Sequence, residues 1–111
     1  DHFFNGGFPF VDLASGGTVQ GYISNLEKAL SWIDDDTSVI PGHGPLGTKA
    51  DLLAFYNVVK DTSTTIRVMK SQQMSAEEAV AEGLGDEYES WGQGFINEQR
   101  WIETVFASYP R

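Results

Sequence analysis

From Thr18 to about Ile33, apolar residues fall at Val19, Tyr22, Ile23, Leu26, Leu30 and Ile33. Steps of three and four put them on one face of a helix, and the spacing predicts one there with Thr18 as its N-cap. The run Asp34-Asp35-Asp36 breaks the pattern, because Asp is a poor fit to the negative end of a helix. A second stripe, Leu52, Phe55, Tyr56, Val59, Ile66 and Met69, predicts a long helix from a Thr48 cap to about Ser71. Its weak point is Thr62-Ser63-Thr64-Thr65, where β-branched residues crowd the preceding turn and a kink is expected. Ser75 with Glu78 makes a capping-box pattern for a short helix ending at Gly83. Asn97 caps a last helix bearing Ile102, Val105, Phe106 and Tyr109, closed by Pro110.

Three stretches do not follow a helical period. The opening "DHFFNGGFPFVDL" sets Phe3, Phe4, Phe8 and Phe10 among glycines and a proline, which reads as a strand end running into a shaped loop. Ser38-Val39-Ile40 reads as a short buried strand stopped by Pro41. "WGQGF", Trp91 to Phe95, is a loop: either a lid or partner surface, or a packing corner for the last helix. So few strands cannot pair and cover themselves, so they are expected to be edge pieces of a sheet completed elsewhere. No internal repeat and no low-complexity segment is present.

With 111 residues the chain is at most one domain. Hydrophobic residues at 41% and aromatics at 13% are those of a globular protein and not of a disordered segment. A formal charge of −9, from 16 acidic and 7 scattered basic residues, argues against nucleic acid or an anionic membrane as partner. With no cysteine there is no disulfide framework, thiolate zinc site or cysteine nucleophile. The compartment stays open between the bacterial cytoplasm and periplasm. No apolar run reaches the ~20 residues of a spanning helix. No signal-peptide pattern is visible either, and an opening on Asp1 without methionine fits a processed or truncated product. The three aspartates lack the ligand positions of an EF-hand and read as a solvated loop. Tyr88-Glu89-Ser90 has no base beside it, and no phosphate-cradling glycine loop occurs.

Two residues invite a metal. His43 stands in Pro41-Gly42-His43-Gly44-Pro45, directly after the apolar strand. Flanking glycines permit close backbone approach, and the prolines stiffen entry and exit, so an imidazole would be presented with little entropy left to lose. The same five residues could equally form a tight turn whose histidine caps a carbonyl. Asp1, leading into the Phe/Gly-rich loop, could place a carboxylate on a divalent cation or simply be an exposed terminal residue.

In order, "DHFFNGGFPFVDL", a Gly-Gly pair, a helix, a strand ending in "IPGHGP" and a long helix opening "TKADL" resemble the C-terminal half of a metallo-β-lactamase-fold hydrolase. The resemblance covers residues 1–111, including the late "WGQGF". It implies an α/β architecture, half of a four-layer αββα sandwich. There, helices pack on a few short strands, incomplete without an N-terminal half or a self-associated partner. It implies zinc, one or two ions in the complete domain, whereas this fragment alone could hold none. Asp1 matches the aspartate that bridges the metals in dinuclear members, although the glycine that precedes it there has no counterpart here. Asp1 would then act catalytically by placing the nucleophile. His43 matches the last histidine ligand. The His-x-His-x-Asp-His cluster and a further histidine of the first half do not occur in this chain. His2 would point away from the metal, beside the site or on the surface. Phe4, Asn5, Phe8 and Phe10 follow the ligand and are candidates for the wall of a substrate pocket, and Phe3 and Phe10 could as well be core aromatics.

The implied chemistry is attack of metal-activated water on an ester, thioester, lactone or lactam bond of a small molecule. Two subclasses of true β-lactamase carry cysteine where Asp1 sits, so aspartate points to the broad hydrolase branch. Two ligands are fewer than the three or more of hydrolytic zinc sites, so the chain alone is expected to be catalytically incomplete. The alternative is a non-catalytic module derived from that fold, which self-associates or binds a partner.

Overall fold

The computed structural model describes residues 4, 6–9, 11, 13, 16–34, 38–39, 47–94 and 96–109. Four α-helices dominate: α1 (Val19–Ser31), α2 (Lys49–Ser71), α3 (Ala76–Glu82) and α4 (Glu98–Ser108), with a 3-10 helix over Asp86–Gln93 before α4. Each α-helix starts at a side-chain cap. Thr18 accepts from the Gly21 N–H, Thr48 from Asp51, Ser75 from Glu78 and Asn97 from Arg100. At Thr48 and Ser75 the third helical residue bonds back to the cap's own N–H, completing capping boxes.

Helix α2 is the axis of the core. Its buried face reads Leu52, Phe55, Val59, Thr62, Ser63, Ile66 and Met69, in steps of three and four. Helix α1 lays Val19, Tyr22 and Leu26 along it, with Tyr22 edge-on to Phe55 at 6.2 Å between ring centroids. From the other side α4 contributes Trp101, Ile102 and Val105. Helix α3 packs on α2 and α4 and buries Ala79. Each fully buried aliphatic or aromatic side chain contributes about 1.5–3 kcal/mol, so the α1–α2–α4 contact carries most of the stability. The helix ends are tied as well. The Val19 N–H, left unpaired by the first turn of α1, donates to the Ser108 hydroxyl at the end of α4 (2.8 Å).

The expected break at Thr62–Thr65 is absent, and α2 is one helix of 23 residues. All four hydroxyls bond one turn back, to the carbonyls of Val58, Val59, Lys60 and Asp61. Bonding of this kind satisfies the side chains without costing a backbone hydrogen bond. Beyond Ser71 the chain closes a Schellman motif. Gln73 donates to the Lys70 carbonyl and Met74 to the Met69 carbonyl, with Gln73 itself at φ +68°.

The α/β expectation, half of an αββα sandwich, is overturned. Helix accounts for 70% and strand for 6% of the described residues. Strand β1 (Ser38–Val39) and strand β2 (Gly47–Thr48) have two residues each and, among the described residues, pair with one another, antiparallel, Ser38 opposite Thr48 and Val39 opposite Gly47. A further bridge joins Phe8 to Ile96. The physical reason lies in where the apolar stripes go. A two-residue strand turns one side chain to each face and cannot floor a helical layer. The stripes of α1, α2 and α4 cover one another instead, so the core is helix on helix. No helix among the described residues is long and apolar enough to cross a membrane.

Candidate functional site

Asp1, Asn5 and His43 lie outside the described residues, as do His2, Phe3 and Phe10. The framework on both sides of His43 is described. Strand β1 enters residues 40–46 and β2 leaves them, so the β1–β2 pairing brings the two ends of that connection together. Thr48 then serves twice, as the last residue of β2 and as the N-cap of α2. Its N–H donates to Asp51 Oδ2 at 2.9 Å, and its hydroxyl accepts from the Asp51 N–H at 3.3 Å. The strand pair and the capping box therefore fix the exit of the Pro-Gly-His-Gly-Pro connection onto the most heavily packed helix of the fold.

Phe4 and Phe8, expected to wall a substrate pocket, are both members of the hydrophobic core. Phe8 is stacked on Trp101 with centroids 6.0 Å apart. Its N–H donates to the Trp91 carbonyl at 3.0 Å. Gly7 lies beside that carbonyl and beside the Gly94 backbone, and a Cβ there would stand 3.7 Å and 3.9 Å away. Gly92 is tighter, its added Cβ meeting the Glu98 backbone nitrogen at 3.2 Å. The "WGQGF" stretch is thus a packing corner, where its glycines let the N-terminal segment and the start of α4 approach the same backbone.

The donor set bears on zinc directly. Among the described residues no three His, Cys, Asp or Glu side chains gather where they could hold a metal ion. The described part of the chain therefore does not by itself fit a hydrolytic zinc centre.

The described residues do form a cleft of about 370 Å³, between the last turns of α2 and α4. Val68, Val105 and Phe106 give it apolar walls, and Arg67, Lys70 and Tyr109 border it. The Arg67 guanidinium lies over the Tyr109 ring, 4.3 Å from its centroid. Burial raises the Tyr109 hydroxyl above its usual range, and the charge of Arg67 partly offsets this. Lys70 Nζ donates to the carbonyls of Phe106 and Tyr109 at the end of α4. Sequence reading did not find this cleft, because it counted the basic residues as scattered. The signal was present: Arg67 and Lys70 are three apart in a helix, and Tyr109 belongs to the stripe that packs against it.

Across the bundle, Tyr56 donates to Glu27 Oε2 at 2.6 Å, joining α2 to α1 on the surface. That hydrogen bond, with some desolvation, pushes the Tyr56 hydroxyl up to about 12. Burial likewise pushes Tyr22 far above the usual phenol range. No family model, no curated protein and no solved structure matches the chain.

Proposed function

We propose that this chain is part of a metal-dependent hydrolase of the metallo-β-lactamase superfamily, to which it brings Asp1 and His43 and not a complete catalytic site. The observation that carries the reading is the ordered series from "DHFFNGGFPF" through "IPGHGP" to "TKADL". The β1–β2 pair flanking residues 40–46, with the Thr48–Asp51 box that follows, supports it. A histidine on a connection closed at both ends loses less conformational freedom on ligation than one on an open loop. Bound zinc would supply hydroxide near neutral pH and polarise a scissile carbonyl. The substrates that suit this chemistry are small esters, thioesters, lactones or lactams. With two ligands from this chain, the remainder must come from another polypeptide segment.

Zinc titration followed by NMR of the two imidazoles tests the assignment. The His43 ring signals should shift on zinc addition, return with chelator, and vanish from the spectrum in His43→Ala. His2→Ala should leave the zinc response of His43 intact. A chain whose His43 signals ignore zinc, or in which both variants behave alike, overturns the proposal and leaves the non-catalytic binding module.

A further inference from the structure

We propose that the cleft between the last turns of α2 and α4 binds a small organic anion with an apolar tail, the Arg67 guanidinium receiving its carboxylate or phosphate group. A volume of about 370 Å³ is enough for a small ligand. Val68, Val105 and Phe106 offer apolar contact, and Arg67, Lys70 and Tyr109 offer polar groups. Charge is concentrated there as well. Four of the chain's seven basic residues lie on α2, and three of them, Lys60, Arg67 and Lys70, follow at spacings of seven and three, which places them along one side of the helix. In a chain of net charge −9 this is a local reversal of sign.

The two cations bordering the cleft have different tasks. Lys70 is spent on the Phe106 and Tyr109 carbonyls, and so neutralises the negative end of α4 that would otherwise repel an anion. Among the described residues Arg67 meets the Tyr109 ring, and no carboxylate there pairs with it. A cation–π contact does not use up the guanidinium N–H groups, which can still donate to an oxyanion. Glu27, on the α1 side of Arg67, already accepts the Tyr56 hydroxyl. An arginine over an aromatic ring and beside an apolar wall, with no acidic partner among the described residues, is prepared for an amphipathic anion. The site shares no residue with the metal reading and stands or falls separately.

The test is a heteronuclear NMR titration of the chain with hexanoate, hexyl phosphate and, as neutral control, hexanol. One or both anions should give saturable shifts confined to residues 64–71 and 105–109, with hexanol weaker by about tenfold or more. The ratio between the two anions tells carboxylate from phosphate. Arg67→Gln should abolish the preference for anions over hexanol. Val68→Glu, at an exposed wall position, should weaken both anions by repulsion while the helical spectrum is unchanged. Hexanol binding as well as the anions, no saturable shift with any probe, or a preference that survives both substitutions would overturn the proposal.

Discussion

The indole N–H of Trp101 on α4 donates to the Thr62 hydroxyl on α2 at 2.8 Å, with both residues fully buried. The same hydroxyl donates in turn to the Val58 carbonyl at 2.6 Å, so one oxygen satisfies two polar groups in a dry interface. An apolar residue of the same shape at position 62 would strand the indole N–H.

Thr62→Val should therefore destabilise the fold by about 1–3 kcal/mol, the cost of leaving a buried donor unpaired. Thr62→Ser keeps the oxygen and loses one methyl group, and should cost less. Urea unfolding of the three proteins, followed by tryptophan fluorescence, makes the comparison. Equal losses for Val and Ser would mean that packing, and not the hydrogen bond, sets the cost.

What the sequence revealed and what it hid divide along the range of the interactions involved. The caps at Thr18, Thr48, Ser75 and Asn97 were legible because each is a bond between residues three apart. The stripes of α1 and α2 were legible because one helical face needs only its own spacing. The Thr62–Trp101 bond joins residues 39 positions apart, and no local pattern marks it. The sheet failed for a related reason. A Ser-Val-Ile run before a proline looks the same whether it enters a large sheet or pairs for two residues with its neighbour. Phe8 shows the same limit. An aromatic in a glycine-rich loop suits a pocket wall and a core contact equally, and the distant Trp101 decides where it goes.

Gln73 offers a gain in stability. It ends α2 in the left-handed region, at φ +68°, where a side chain costs about 1–2 kcal/mol and glycine nothing. Glycine also adds freedom to the unfolded chain, which takes back part of that gain. Gln73→Gly should raise the unfolding free energy by a net of about 0.5–1 kcal/mol, whereas Gln73→Ala should not. The urea midpoint reads this directly. A midpoint for Gln73→Gly at or below that of the parent would show that the Gln73 side chain makes a contact worth more than the strain.

The Tyr56–Glu27 bond sets an alkaline limit. Its hydrogen bond to Glu27, followed by desolvation, pushes the Tyr56 hydroxyl from the usual 10.0 up to about 12 in the folded chain. A phenol whose folded value is raised favours the folded state while it stays neutral. The contribution is therefore complete below about 10, and it is lost as pH climbs through about 12. Tyr56 lies on the surface, so the α1–α2 contact loosens there without the core being breached. Titration of tyrosinate absorbance, with Tyr56→Phe subtracted to assign the signal, should show one phenol ionising late. Glu27→Ala should bring that midpoint back towards 10, removing both the acceptor and the neighbouring negative charge. A Tyr56 that ionises at its ordinary value in the parent protein would mean that the hydrogen bond does not persist in solution.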